Sequence, residues 1–451
     1  MDGRFRELRE REFARLDAAG HVYLDHTGAA LYPESLVREH GEWLCRAVLG
    51  NPHSRNPASR LSTDLVRETR AKVLAFFHAD PAEYEVVFTA NATGALKLVG
   101  EGYPFGPRSS FRLTADNHNS VNGIREYAAS RGAEVRYVRI GTDLRVADLE
   151  AQLEGADPGA PNLFAYPAQS NFSGVKHPLE WIETARGMGY DVLLDAAAYV
   201  PTNPLHLGHV KPDFATVSFY KMFGFPTGVG ALIARRAALE KLHRTWFGGG
   251  TVRFASAQNL VHIPYRDAAA FEDGTVDFLS IPAVPAGLAF LEALGMERIQ
   301  AHVMGLTALL LHELSALEHP NGAPLVRIYG PCTTEGRGGT IALNLLDPDG
   351  AVIDCRLVEQ AAADANISIR TGYFCNPGAA EASFELPEDE ARRCFEELAR
   401  DTFTLKQFSV CLHDRPVGAV RASLGLSSNE ADVRRFVELL RGFAGKGGAP
   451  A

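Results

Sequence analysis

Asp191-Val-Leu-Leu-Asp195, and then Phe214-Ala-Thr-Val-Ser218 running directly into Phe-Tyr-Lys221, decide how this chain folds and where its chemistry lies. Both runs are short, apolar and closed by a polar side chain. That pattern reads as strands covered on both faces. Moving toward the N-terminus, Glu85-Val-Val-Phe-Thr89, the alternating stretch 133–140 and Asn162-Leu-Phe-Ala-Tyr166 read the same way. Helical patterns starting near Ala92 and spanning about 121–130 and 179–188 stand between them. On the C-terminal side, Gly230-Ala-Leu-Ile-Ala234 extends the series. Strands alternating with helices predict an α/β fold with a mostly parallel sheet covered by helices on both faces.

The last third changes character. Helical patterns over 301–318, 388–401 and 430–445 separate strand-like pieces at 340–344 and 417–423. The expectation is a large domain over residues 20–290. A smaller α+β C-terminal domain is expected from 1–19 and 291–445, followed by a flexible Gly/Ala/Pro tail over 446–451.

Composition narrows the classes. A net charge of −10 argues against a nucleic-acid binder, because backbone binding needs a basic footprint. The charged start Met1-Asp-Gly-Arg-Phe-Arg-Glu7 lacks the apolar stretch of a secretory signal. The most apolar segment, 283–296, is short and interrupted by Pro285 and Glu292, so no membrane association is expected. Cys45, Cys332, Cys355, Cys375, Cys394 and Cys411 are scattered in sequence, so neither a disulfide framework nor a zinc site is expected. The histidines show no metal-ligand spacing, and no metal is assigned. A reducing, cytoplasmic setting is the simple reading.

In an open parallel sheet, ligands bind beyond the carboxyl ends of the strands. Asp195 closes one strand, Ser218, Tyr220 and Lys221 follow another, Thr89–Thr93 a third, and Asn171 comes after a fourth. A lysine beside a carboxylate suits a carbonyl cofactor of the pyridoxal type. The amine forms the Schiff base, and the carboxylate keeps the pyridine nitrogen protonated. Thr93, at the start of a helix, suits a phosphate, where free N–H groups and the helix dipole favour an anion.

Further segments carry a resemblance. They are Tyr-Leu-Asp-His-Thr-Gly-Ala-Ala (23–30), Gly-Asn-Pro-His-Ser (50–54), Asp-Asn-His-Asn-Ser-Val-Asn-Gly-Ile-Arg (116–125) and Tyr-Pro-Ala-Gln-Ser-Asn-Phe-Ser-Gly-Val (166–175). Leu-Leu-Asp-Ala-Ala (193–197), Ser-Phe-Tyr-Lys-Met-Phe-Gly-Phe-Pro-Thr-Gly (218–228) and Phe-Gly-Gly-Gly-Thr (247–251) follow in order. Phe-Glu-Asp-Gly-Thr (271–275) and Arg-Thr-Gly-Tyr-Phe-Cys-Asn-Pro-Gly-Ala (370–379) complete the set. Together, over about residues 20–440, the chain resembles fold-type I enzymes dependent on pyridoxal 5′-phosphate (PLP), of the class V aminotransferase and cysteine desulfurase superfamily. More closely it is similar to the N-terminal domain of molybdenum cofactor sulfurases.

The resemblance implies the α/β fold of fold-type I enzymes, a large domain with a mostly parallel seven-stranded sheet covered by helices plus a smaller α+β C-terminal domain. It also implies roles by position. Lys221 would carry PLP, Asp195 would pair with its pyridinium, His118 would stack on the ring, and Asn171 would approach the phenolic oxygen. Ala92 (through its backbone), Thr93, Ser218 and Tyr220 would hold the phosphate. Thr275 would reach the phosphate site of a neighbouring subunit, implying a homodimer. Arg370 would clamp the substrate carboxylate, a task suited to a planar bidentate donor. Cys375 would take sulfur from L-cysteine as a persulfide, releasing alanine, and pass it to an acceptor such as molybdenum cofactor or its carrier protein.

Two local departures stand out. Ala198 occupies a position where many desulfurases have a glutamine that contacts the cofactor, and Tyr373 and Ala380 stand where many sulfurases have further cysteines. Eukaryotic sulfurases also continue into a second, cofactor-binding domain, which would here be a separate partner. The alternative is a PLP-dependent lyase, epimerase or aminotransferase acting on another amino acid, which would share Lys221, Asp195 and Arg370 but not need Cys375. A silent scaffold is a third reading, opposed by the intact lysine, aspartate and phosphate set.

Overall fold

Every residue of the strands Ser110–Thr114, Asn162–Pro167 and Phe214–Ser218 is buried, as expected of strands roofed on both faces. The computed structural model describes residues 3–398, 404–412 and 417–446. Its central sheet has seven strands, in the spatial order Tyr84–Thr89, Gly230–Arg235, Phe214–Ser218, Tyr190–Asp195, Asn162–Pro167, Ser110–Thr114, Glu134–Val138. The four pairings from Phe214–Ser218 to Glu134–Val138 are parallel, whereas Gly230–Arg235 runs antiparallel to both its neighbours. The parallel strands therefore end together, and that shared end carries Asp195, Ser218 and the segment leading to His118.

Ser110–Thr114 is the strand that the pattern reading did not find. Its centre is Arg112, almost fully buried and paired with Glu134 of the neighbouring strand at 2.9 Å. A charged residue in the middle of a five-residue run hides the apolar signal, and only a cross-strand carboxylate makes its burial tolerable. The helix expected over 121–130 is divided at Gly123 into Asn119–Asn122 and Ile124–Ser130.

The C-terminal part forms an antiparallel sheet in the order Val326–Tyr329, Thr340–Leu345, Ala419–Ser423, Arg370–Gly372. Helices Met296–Ser315, Cys355–Asp364 and Glu430–Arg441 accompany it, the last begun by a capping box between Asn429 and Asp432. Near the N-terminus, Val22–Tyr23 pairs in parallel with Ile367–Ser368, and Asp25 bridges to Ser423. The chain is thus stitched to the C-terminal sheet before it returns toward Lys221. Of the tail expected to be flexible, residues 447–451 lie outside the described residues, as do residues 399–401 of the helix expected over 388–401.

The cysteine reading needs correction. Cys394 and Cys411 form a disulfide, with Cα atoms 5.8 Å apart and a sequence separation of 17. They lie on the paired helices Glu388–Leu398 and Leu405–Cys411, where they share a small cluster with Ala391, Phe408 and Leu412. Linear spacing conceals such a pair because a helical hairpin, not the chain, brings the two thiols together. Cys45, Cys332, Cys355 and Cys375 remain thiols, of which only Cys355 is buried, and burial pushes its pKa up to about 12.

Two predictions follow from this packing. Titration of the native protein with a thiol reagent is expected to modify Cys45, Cys332 and Cys375 rapidly and Cys355 only on unfolding, with Cys394 and Cys411 added only after reduction. A protein that yields six thiols without reductant contradicts the pairing. His26 is fully enclosed, with Gly425 so close that a Cβ there would stand 2.3 Å from its ring, and burial lowers its pKa from 6.5 to about 4. The folded protein resists a proton that the unfolded chain accepts. Stability is therefore intact above pH 6.5 and falls by about 3 kcal/mol as pH drops toward 4. Denaturant unfolding at several pH values should show this slope in the wild type and a flatter one in His26→Gln.

Candidate active site

Asp195 and Lys221 come from neighbouring parallel strands, with Asp195 in register with Thr216. The Asp195 carboxylate is buried, and its Oδ1 accepts hydrogen bonds from the Ala197 N–H at 3.0 Å and the Thr216 hydroxyl at 3.3 Å. Its Oδ2 has no hydrogen bond among the described residues, so one acceptor remains for a ligand. Lys221 sits in the five-residue helix Phe219–Phe223, which Gly224 ends at φ +78°. Gly224 cannot be replaced simply, because a Cβ there would lie 2.3 Å from the Tyr32 nitrogen. Burial lowers the Lys221 pKa from its ordinary 10.5, more than the opposing pull of Asp195 raises it. The amine has no hydrogen-bond or ion-pair partner among the described residues.

The anion end is built at the start of the helix Ala92–Gly102. Asn91 caps it by accepting from the Gly94 N–H at 3.0 Å, and the Ala92 N–H donates to the Ser218 hydroxyl at 2.8 Å. The Thr93 hydroxyl lies 2.8 Å from that of Ser120, and Tyr220 lines the same pocket. Gly230 permits this approach, since a Cβ there would stand 2.6 Å from the Asn91 Cα.

His118 closes one side. Its Nδ1 accepts the Ser120 N–H at 3.1 Å, so in the neutral ring the proton must lie on Nε2. Burial lowers the His118 pKa below 6.5, with Asp195 pulling upward and Lys221 downward, which keeps the ring neutral at pH 7. Ala92, Thr93, His118, Asn171, Asp195, Ser218, Tyr220 and Lys221 thus line one pocket; the strand-end reading gathers all of them but His118, which the resemblance alone placed here.

Cys375 arrives from the side of the C-terminal antiparallel sheet. It follows the edge strand Arg370–Gly372 and is exposed, with Phe374 and Cys375 both in the left-handed region at φ +53° and +55°. Two consecutive non-glycine residues there persist only when their surroundings hold them. The holding contacts are specific. The Cys375 carbonyl accepts from the Asn119 N–H at 2.7 Å, and the Phe374 carbonyl from the Asn171 amide at 2.7 Å. Asn376, fully buried, donates to the Asp116 carbonyl at 2.6 Å and to Asn171 Oδ1 at 2.9 Å, and caps the helix Pro377–Phe384 through the Ala379 N–H. Gly378 completes the fit, because a Cβ would strike the Ala115 carbonyl at 2.2 Å. The Asn171 side chain, expected to face a ligand oxygen, therefore bonds the loop on both sides of Cys375 while also lining the pocket.

Arg370 is exposed on one side and bound on the other by Asp25, at 2.6 Å for the shortest contact. Both Cys375 and Arg370 bear electrostatically on Lys221, behind burial and Asp195 in weight. Thr275 stands apart. It lines a separate recess with Asn51 and His53, and its hydroxyl accepts from the Asn51 amide at 3.2 Å.

Sequence reading gave no role to Gln169, Asp25, Arg421 or Asn376. Gln169 lines the pocket and donates to the Ala198 carbonyl at 3.0 Å, bringing a side-chain amide beside the position where a glutamine is absent. Its signal was available, since it is a polar residue just beyond the strand Asn162–Pro167. Arg421 gave none, since it lies mid-strand in Ala419–Ser423. Replacing Asn376 by Ala removes the partners of two buried groups. The protein is expected to lose about 2–4 kcal/mol in denaturant unfolding. Cys375 should be alkylated several-fold faster, with Cys45 and Cys332 unchanged as internal references.

The sequence profile of the aminotransferase class-V family matches residues 22–436. The chain is 40% identical over 467 residues to a molybdenum cofactor sulfurase of Homo sapiens, covering 97% of this chain and 51% of that one. It is 38% identical over 477 residues to a molybdenum cofactor sulfurase of Solanum lycopersicum, covering 96% and 56%. The chain therefore spans about half the length of these relatives. Its fold is similar to that of a cysteine desulfurase from Thermococcus onnurineus NA1, with a TM-score of 0.80 at 22% identity over 97% of this chain and 98% of that one. A cysteine desulfurase of Escherichia coli gives 0.75 at 20% identity, over 97% of both chains. With the profile running from the first strand into the last helix, this chain belongs to the aminotransferase class-V family.

Proposed function

We propose that the chain is a PLP-dependent sulfurtransferase of the cysteine desulfurase type, which takes sulfur from L-cysteine onto Cys375 and releases L-alanine. The observation that carries this reading is the meeting of an unpartnered buried amine, Lys221, with an exposed thiol, Cys375, on a loop bonded to both flanks of the same pocket.

The residues fit the cofactor. Lys221 offers an amine with no competing partner, and Asp195 offers the free Oδ2 for a pyridinium proton. The first turn of Ala92–Gly102, with the hydroxyls of Thr93, Ser218 and Tyr220, suits the phosphate. When bound, PLP supplies an electron-poor ring that takes up the electrons released at the amino-acid Cα. The rest falls to the chain itself. Arg370 orients the substrate carboxylate, and the burial that lowers the pKa of Lys221 favours the free amine, whose Nζ takes the Cα proton. The neutral His118 covers one face and offers Nε2–H as a donor. Cys375 Sγ attacks the substrate sulfur: an S–S bond forms, the C–S bond breaks, and the carbon skeleton, protonated, leaves as alanine. The persulfide stays exposed on Cys375, from which an acceptor takes the outer sulfur.

Several wider features belong to the same proposal. The acceptor would be molybdenum cofactor or a protein carrying it. A homodimer is supported by the hairpin Val252–Ser256/Val261–Pro264, whose Phe254 and Leu260 are 58% and 89% exposed, near the recess that holds Thr275. Thr275 would serve the phosphate site of the second copy. We divide the chain into a large domain over 20–290 and a small one from 1–19 and 291–445, with Val22–Tyr23 as the strand that crosses between them. A cytoplasmic location suits a carrier thiol that must be kept reduced, and it requires the Cys394–Cys411 disulfide to persist in a reducing setting. No helix among the described residues is long and apolar enough to cross a membrane.

The test is direct. Purified protein with PLP, L-cysteine and a reductant should yield equimolar alanine and sulfide. Cys375→Ala should abolish both products yet keep the visible absorbance of bound PLP, and Lys221→Ala should lose both products and that absorbance. A Cys375→Ala protein that still turns over an amino acid would point to the lyase, epimerase or aminotransferase alternative.

A further inference from the structure

Three charged side chains meet at the seam between the two sheets. Asp25 accepts from Arg370 Nε at 3.2 and 3.1 Å and from Arg370 Nη2 at 2.6 Å, a two-toothed grip on one edge of the guanidinium. Arg421 Nη2 donates to Asp25 Oδ1 at 2.9 Å from the other side. The two arginines differ in access. The Arg421 side chain is 3% exposed, held by the Asn171 carbonyl at 3.0 Å and by the Phe374 ring, whereas that of Arg370 is 51% exposed. Arg370 Nη1 has no partner among the described residues, so it is the edge left to a ligand. Gly28 keeps the contact closed, since a Cβ there would stand 2.6 Å from Asp25 Oδ2 and 2.8 Å from Arg370 Nη2.

Charge decides what this arrangement accepts. Two guanidiniums and one carboxylate leave a single net positive charge. Burial alone would raise the Asp25 pKa, but the two arginines overcome it and hold the group ionised. We propose that Asp25 is a positioning and specificity residue: it fixes the free edge of Arg370 toward the substrate and cancels one of two positive charges, so that the site takes amino acids with one carboxylate and rejects those whose side chain carries a second anion. This rests on Arg370 being the carboxylate clamp. It narrows the substrate class to amino acids with uncharged or thiol side chains.

The test uses the PLP-loaded full chain as wild type, Asp25→Asn and the double variant Asp25→Asn/Arg421→Gln. Visible absorbance titrations with L-alanine and L-aspartate give the selectivity, and turnover of L-cysteine gives kcat and KM. Wild type should favour L-alanine by about tenfold or more. Asp25→Asn, with two positive charges, should lose about tenfold of that preference and raise the KM for L-cysteine about tenfold, with kcat changed less than about twofold. The double variant, back to one positive charge, should recover the preference but not the low KM. A role in stability alone would not move selectivity in opposite directions between these two variants. Should Asp25→Asn fail to fold, as judged by thermal melting, the double variant and the wild-type ratio carry the decision. Wild-type selectivity and KM in Asp25→Asn, a double variant with wild-type KM, or a wild type that does not discriminate would each overturn the proposal. A wild type that shows no bound-PLP absorbance, or no response to any amino acid, would bring down the underlying reading as well.

Discussion

Asn376 is the side chain on which the rest of the site depends. Its amide nitrogen reaches Asp116 from one domain and Asn171 from beyond a sheet strand, while its oxygen starts the helix that follows Cys375. Being fully buried, it cannot trade these bonds for water, so any separation of the Cys375 loop from Asp116 and Asn171 leaves polar groups unpaired at considerable cost. The left-handed backbone at Phe374 and Cys375 is sustained by the same contacts. The backbone that carries the thiol is consequently tied to the pocket that holds Lys221. The proposed sulfur transfer, from a substrate beside Lys221 to Cys375, would benefit directly from that placement.

The pocket itself follows from parallel strand topology. Strands that run the same way end at one edge, and the polar residues closing them are gathered without needing to be near one another in sequence. Glycines then allow the close approaches that the chemistry requires: Gly230 against Asn91, Gly224 against Tyr32 and Gly378 against Ala115. Burial does the electrostatic tuning. It lowers the pKa of Lys221 and of His118, leaving a free amine more accessible and an imidazole neutral near pH 7, while Asp195 keeps one oxygen for a partner.

The seam between the domains carries a second layer of order. Asp25, between two guanidiniums, makes an isolated bridge to Ser423 of the C-terminal sheet, and the chain turns at once toward the segment beside Lys221. Ala30 donates to the Tyr220 carbonyl at 3.2 Å, so the carboxylate that holds Arg370 is mechanically joined to the lysine helix. Orientation of the arginine, registration of the two sheets and support of the lysine are thereby one structural unit.

Local pattern determined much of this protein. Apolar runs closed by Asp195 and Ser218 specify buried strands, because hydrophobic periodicity acts over a few residues, and the order of strands and helices then restricts the sheet to one topology class. The positions of Lys221 and Thr93 after strand ends were legible for the same reason, whereas that of His118 came only from the resemblance, because the strand before it, Ser110–Thr114, gave no pattern. Where burial required a partner distant in sequence, pattern was silent. The strand around Arg112 depends on Glu134, the pairing of Cys394 with Cys411 depends on a helical hairpin, and the loop at Cys375 depends on Asn171 and Asn376. Composition and spacing set which residues were available for chemistry. Only the tertiary structure decided which charge faces which, because a buried ion or amide is defined by its neighbours in space and by the water it has lost.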